Sequence, residues 1–231
     1  MPRTSTLLLM GGPEYHNKVF HYAELSGILA GEAGADLRVT DDLDVLNSKT
    51  LASFQVIVNW STFLEPTDEQ VQALLGAVEN GVGLLALHGG NATFWNSAPY
   101  LTALGSRFIR HAPYKHFQVE IDDRSHPITA GVDNFETDDE LYEIGGKVED
   151  FPRFADAIRA GQPRAELRPL GDGPLPSDCH VLASAEGHPL LYVKPLGRGR
   201  VHYNALGHDL ASLTNPSYRH LIRQGFAWVA G

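Results

Sequence analysis

The segment Val82-Gly83-Leu84-Leu85-Ala86-Leu87 is a short apolar run that stops abruptly at His88-Gly89-Gly90. Such a run, preceded by a helix-like segment, predicts a strand buried on both faces of a parallel sheet. In open α/β sheets, ligands bind outside the carboxyl ends of the strands. His88 stands at that end. The two glycines permit a sharp turn and close approach of backbone to a ligand.

The rest of the first hundred residues fits the same frame. Strand-like segments at Thr6–Met10, Asp36–Thr40 and Phe54–Asn59 alternate with helix-like ones. Val19–Ala33 carries an apolar stripe of Phe20, Ala23, Leu25, Ile28 and Leu29, and Gly34 is a helix stop. Leu43–Leu51 is a short polar connection with Leu46 and Leu51 inward. Pro66-Thr67-Asp68-Glu69 starts a helix through about Asn80, its acidic residues favourable at the positive end. This rhythm predicts an α/β fold with a doubly wound, mostly parallel sheet flanked by helices.

Beyond residue 100 the pattern loosens. Tyr100–Gly105 reads as a short helix, and Phe117–Ile121 and Glu140–Ile144 as strands. Phe151–Pro176, rich in Pro, Gly and Arg, reads as an irregular excursion. Val181–Ser184, Leu190–Lys194 and Arg200–Asn204 are three more strands, the last two joined as a hairpin by Gly197-Arg198-Gly199. A final helix from Asn215 to Val229 turns Leu221, Ile222, Phe226 and Trp228 to the core. No internal repeat, low-complexity tract or linker divides the chain, so a single domain over residues 1–231 is expected.

A net charge of −10 argues against nucleic acid and against anionic membranes as partners. No apolar run is long enough to span a bilayer, and Leu7-Leu8-Leu9-Met10 is too short for the apolar part of a signal peptide. The single cysteine, Cys179, permits no internal disulfide, so a cytoplasmic setting is expected. Exposed hairpin edges are compatible with a homodimer.

Four segments concentrate chemistry: Pro13-Glu14-Tyr15-His16-Asn17, His88-Gly89-Gly90, Asp138-Asp139-Glu140-Leu141-Tyr142, and Gly207-His208-Asp209. If the strands before His16, His88 and His208 are parallel, these three histidines meet in one cleft. Glu140 is not placed by that argument. The Gly11-Gly12-Pro13 turn lacks the Gly-x-Gly-x-x-Gly spacing of a dinucleotide site.

In these segments the chain resembles the ThuA-like (trehalose utilisation) family, within the class I glutamine amidotransferase-like superfamily. The matching residues are Leu87-His88-Gly89-Gly90, Leu104-Gly105 to Phe108 with His111, and Ser125-His126-Pro127-Ile128-Thr129. They continue with Asp139-Glu140-Leu141-Tyr142, Gly197 to Val201, Ala205-Leu206-Gly207-His208-Asp209 and Trp228. The first eighty residues match in strand order and in Tyr15-His16. The resemblance implies a flavodoxin-like, amidotransferase-like fold and a carbohydrate substrate, a disaccharide or glycoside or its 3-keto derivative. It also implies that His88 occupies the elbow where amidotransferases carry a nucleophilic cysteine. Without a thiolate there, glutaminase activity is not expected. Cys179 lies in a predicted loop and reads as structural.

Several roles remain open for these residues. His88 and His208 are candidates for acid–base catalysis, with Asp209 or Glu140 as orienting or proton-sharing partners. Two or three of His16, His88, His111 and His208, with a carboxylate, are candidates for binding a divalent metal such as zinc. The bland alternative is that these histidines hydrogen-bond backbone at strand ends. His16, Tyr15, Gly89, Gly90, Trp60, His111 and Tyr142 are candidates for substrate binding; Trp60, at the end of the third strand, would stack on a sugar ring or serve the core. The acidic run Glu136 to Glu140 reads as a solvated turn or, through Glu140 and Tyr142, as an inward pair. Arg107 and Arg110 are expected to pair with carboxylates. Two functions from different classes follow: a hydrolase or lyase acting on (3-keto) glycosides, or a non-catalytic sugar-binding or regulatory module that kept the fold.

Overall fold

The computed structural model describes residues 3–231. Its centre is a nine-stranded sheet in the order β2-β1-β3-β4-β11-β10-β9-β6-β7. The first five of these are β2 (Ala35–Thr40), β1 (Thr4–Leu9), β3 (Val56–Asn59), β4 (Gly83–Leu87) and β11 (Gly199–Asn204), all mutually parallel. This is the doubly wound order in which the switch point lies between the first and third strands. The sheet then continues antiparallel through β10 (His188–Leu196), β9 (His180–Ala185), β6 (Lys115–Ile121) and β7 (Phe135–Asp139). A separate ribbon pairs β5 (Arg107–His111) with β8 (Tyr142–Gly145).

The parallel strands are apolar because helices cover both faces. Leu7, Leu8, Val56, Val58, Leu84 and Leu85 are all buried. The helices are α1 (Val19–Ser26, continued by a wider turn through Glu32), α2 (Ser48–Leu51), α3 (Asp68–Glu79), α4 (Ala98–Leu104), α5 (Phe151–Arg159), α6 (Leu210–Leu213) and α7 (Pro216–Ala230). Their starts are written in the sequence. Thr67 and Gln70 form a reciprocal capping box on α3, and Asn215 caps α7 with Pro216 in its first turn. The face of α3 that meets the sheet is Val71, Leu74 and Val78. No described helix is long and apolar enough to cross a membrane.

Three expectations are corrected. The excursion after residue 150 begins with a real helix, α5, which buries Phe151, Phe154, Ala157 and Ile158. Its proline sits in the first turn, where the missing N–H costs nothing, so it does not break the helix. The acidic run is not a solvated turn. It is β7, whose alternation turns Thr137 and Asp139 inward and Glu136 and Asp138 outward. Trp228 is only partly buried, its ring against His126 and the Arg200 guanidinium, while Leu221, Ile222 and Phe226 do enter the core.

The β6–β7 hairpin also explains how the site is assembled. It joins β9 only at Glu120 and Ile121. Its other end diverges, so that Asp139 reaches the backbone of Gly207 beyond β11. The acidic segment therefore arrives at the carboxyl edge of the parallel strands from outside the parallel core.

Candidate active site

His88 is the first residue after β4 and sits in the left-handed region, with φ of +45°. That conformation is uncommon for a residue with a side chain and is typical of strained functional turns. The elbow is held by neighbours. Tyr203 donates its hydroxyl to the His88 carbonyl at 3.0 Å, and a Cβ on Gly89 would collide with the Thr62 hydroxyl. A Cβ on Gly90 would lie 2.7 Å from the Asn59 carbonyl oxygen. Both glycines are buried, so the close approach they permit is to the end of β3. That corrects the expectation that they face a ligand.

The His88 ring is fully buried and its tautomer is fixed. Nδ1–H donates to the Ala205 carbonyl at 2.9 Å, leaving a lone pair on Nε2. Around that lone pair the structure gathers His16, His208, Glu140 and Tyr142. His16 Nε2 lies 3.2 Å from His88 Nε2 and 3.2 Å from His208 Nδ1. Glu140 Oε2 lies 3.2 Å from His208 Nδ1 and 3.8 Å from His88 Nε2. The Tyr142 hydroxyl is 3.0 Å from His88 Nε2. His111 stands at the rim, Nε2 3.6 Å from Glu140 Oε1, outside the inner four.

Each ring is held from behind. His16 has Nδ1 on the Thr62 hydroxyl at 3.0 Å, and its carbonyl accepts from Trp60 Nε1 at 2.9 Å. Trp60 is wholly buried, so it braces His16 and offers no face to a sugar. The His208 backbone is clamped on both sides. Its carbonyl accepts from His21 Nε2 at 2.9 Å, and its N–H, with that of Gly207, donates to Asp139. His21 is committed to that role because its Nδ1 accepts the Lys18 N–H. Asp209, expected in the site, instead caps α6 by accepting from Ala211 N–H and takes the Tyr114 hydroxyl at 2.7 Å. Aspartate preceding a helix turns its oxygen to the free N–H groups, which draws it away from the histidines. Tyr15 is half exposed, its ring edge-on to His16 at the mouth.

No individual signal in the sequence marks His21 or Thr62. Asp139 opens the matching Asp139-Glu140-Leu141-Tyr142 segment, but its role as a buried brace shows only in its burial, which Asp138 lacks. Elsewhere, Arg110 pairs with Glu143, whereas Arg107 donates to backbone carbonyls. Burial pushes the Cys179 thiol up to about 11, in keeping with a structural role.

Electrostatics divides the cluster in two. Burial, then the His208 charge, pushes His16 down to about 4. Burial and the neighbouring His16 and His208 hold His88 well below its ordinary value. Burial would lower His208 too, but the hydrogen bond and charge of Glu140 outweigh it and raise His208. Burial opposes ionisation of Glu140, yet His208 keeps it lowered. His16 and His88 are therefore neutral at pH 7. A base depressed in the folded state favours unfolding as pH falls below its unfolded value. Between pH 7.5 and 5, chelator-treated wild type should lose about 2 kcal/mol more stability than His16→Gln, by urea unfolding. Equal losses in the two would refute a depressed His16.

Neutral imidazoles and an ionised carboxylate are what a divalent cation requires; His16, His88 and Glu140 are in that state, and His208 would release its proton on binding. The donor atoms of His16, His88, Glu140 and His208 all lie within 4.8 Å of one another. Tetrahedral zinc with bonds of about 2.0–2.1 Å has ligand-to-ligand edges of about 3.3 Å. His16 Nε2, 3.2 Å from both His88 Nε2 and His208 Nδ1, fits that figure, and Glu140 Oε2 stands beside these three, 3.2 Å from His208 Nδ1 and 3.8 Å from His88 Nε2. The hydrogen bonds from the far nitrogens of His88 and His16 are the outer supports that metal-binding imidazoles use.

Comparison with known proteins agrees with this fold. The chain overlays a ThuA-like protein of Parabacteroides merdae with a TM-score of 0.75 at 16% identity, covering 99% of this chain and 90% of that one. A ThuA-like protein of Bacteroides uniformis gives 0.72 at 19% identity, covering 99% and 91%. A protein named as part of a GMP synthase, from Thermoplasma acidophilum, gives 0.57 at 13% identity, covering 99% and 94%, which relates the fold to amidotransferases. No curated protein matches the chain. The family model ThuA, described as trehalose utilisation, matches residues 8–229, and the chain belongs to that family.

Proposed function

We propose that this chain is a cytoplasmic enzyme of carbohydrate catabolism that breaks a glycosidic bond in a disaccharide or glycoside, acting on its 3-keto form. The observation that carries the proposal is the meeting of His16, His88, His208 and Glu140 at an elbow without a thiol. The substrate class rests on the family's description, trehalose utilisation.

His16, His88 and His208 are placed to hold a divalent cation, which would supply Lewis-acid polarisation of a sugar oxygen. Glu140 is the proton carrier. In a 3-keto glycoside, the hydrogen on the carbon between ketone and glycosidic carbon is acidic. Glu140 takes that proton, the electron pair forms the carbon–carbon double bond, and the glycosidic C–O bond breaks. The leaving oxygen then takes the proton back from Glu140, and water adds to the resulting enone to complete hydrolysis. Glu140 is suited to this because it is the only carboxylate among the four and keeps some access to solvent. His111, beside its other oxygen, orients it.

The test is to incubate purified protein with trehalose, 3-keto-trehalose and 3-keto-glucosides, and to follow sugar release. The measurement is repeated after chelation and after adding back zinc. Release from the keto substrates, absent from trehalose and lost in Glu140→Gln, is the expected result. Binding of these sugars by calorimetry without any release would identify a non-catalytic sugar-binding module instead.

A further inference from the structure

The segment that follows α5 carries an arginine to the mouth of the site. Arg164 opens a single helical turn, Arg164–Leu167, and its guanidinium lies 3.9 Å above the centre of the Phe63 ring and 5.4 Å from that of Trp95. The turn does not float. The buried Arg107 donates to the carbonyls of Leu167, Arg168 and Leu170 at 2.8, 2.7 and 2.6 Å, and Leu167 is itself buried.

The seat is built as firmly as the arm. Phe63 and Phe94 both adopt positive φ, +57° and +53°. Two interlocking bonds keep them there, Phe63 N–H to Ala92 and Phe94 N–H to Leu64, each 2.9 Å. Backbone strain of about 1–3 kcal/mol per residue persists where surrounding structure enforces it, and it concentrates at ligand sites. Phe63 follows Thr62, which holds His16. The Tyr15 ring stands edge-on to the same His16, 4.7 Å between ring centroids. Arg164, Tyr15 and the histidine cluster thus share one rim.

Among the described residues no carboxylate lies within ion-pair distance of Arg164, although the chain has 28 acidic and 18 basic residues. The guanidinium packs over the Phe63 ring and makes no hydrogen bond to the described residues, so its N–H donors are free, and that fork matches a carboxylate or phosphate. A neutral sugar would leave the charge unanswered.

We propose that Arg164, with Tyr15, recognises an acidic group on the part of the sugar remote from the broken bond, so that the substrate is a glycoside bearing a carboxylate or phosphate. The proposal rests on the reading of the histidine cluster as a sugar-processing site. It is tested by calorimetry of the full chain with glucose 6-phosphate, glucuronate, glucose and inorganic phosphate, on wild type, Arg164→Ala and Arg164→Lys. The expected result is that at least one acidic sugar binds more tightly than glucose. Arg164→Ala should weaken it about ten- to hundredfold while leaving glucose unchanged, with Arg164→Lys in between. Whether glucose 6-phosphate or glucuronate loses more tells phosphate from carboxylate. Acidic sugars that bind no better than glucose, a preference that survives Arg164→Ala, or inorganic phosphate binding as tightly as the sugar phosphate would each overturn it. Zinc stoichiometry and keto-glycoside turnover, measured on the same preparations, report separately on the underlying reading.

Discussion

If the proposed function holds, replacing His88 will abolish both zinc binding and glycoside turnover. Wild type, metal-stripped and then equilibrated with zinc, should retain about one equivalent after dialysis. A His88 variant should retain less than about a tenth, and turnover of 3-keto-trehalose should fall by about a thousandfold or more, since one of three histidine ligands is lost. The choice of variant matters because φ at this position is positive. Alanine would be strained there, so loss of function in His88→Ala alone does not separate the ligand from the backbone. Glycine accepts the conformation freely and asparagine tolerates it. His88→Gly and His88→Asn should therefore remain folded and both lose zinc. Retention of one equivalent of zinc by His88→Gly would refute the assignment of His88 as a ligand. A wild type that turns over without zinc, and loses turnover in both variants, would assign His88 to proton transfer instead.

How much of this site is legible in the sequence depends on what positions each residue. His16, His88 and His208 follow strands β1, β4 and β11, and a parallel sheet brings such ends together whatever lies between them. Strand order brings these ends to one edge of the sheet, and the turn Glu14–His16 with the bonds behind each ring completes the meeting. The position of Glu140 does not, because it arrives on the antiparallel β6–β7 hairpin, whose course depends on where pairing with β9 stops. Asp209 departs from expectation for a local reason. Its helix-capping bond is short-range and visible in the sequence, but adjacency to His208 points the other way. Trp60 looks like a sugar platform from its place at a strand end, yet its N–H is spent on the His16 carbonyl inside the core. The helix α5 is hidden by a proline and arginines that are harmless in a first turn and on a solvent face.

Asp139 separates holding the site from performing its chemistry. It is wholly buried and touches none of the substrate-facing atoms, yet it accepts the N–H groups of Gly207, His208 and Glu140 and the Ser212 hydroxyl. One carboxylate thus fixes the backbone of both His208 and Glu140. Burial pushes it up to about 6 against the pull of these bonds, so its charge is retained at pH 7. Asp139→Ala leaves several buried donors without an acceptor, and each costs about 1–3 kcal/mol, so a loss of about 4 kcal/mol or more in urea unfolding is expected. Asp139→Asn keeps one acceptor and the shape of the side chain. It should lose about 1–2 kcal/mol and stay folded, while its zinc affinity drops about ten- to hundredfold as His208 Nδ1 drifts from the cluster. Ser212→Ala removes a donor to the same carboxylate without releasing either backbone, and its zinc affinity should match wild type within about twofold, near the tenths of a kcal/mol expected when no ligand moves. If Asp139→Asn binds zinc as tightly as Ser212→Ala does, His208 is held by His21 alone and the carboxylate serves only stability.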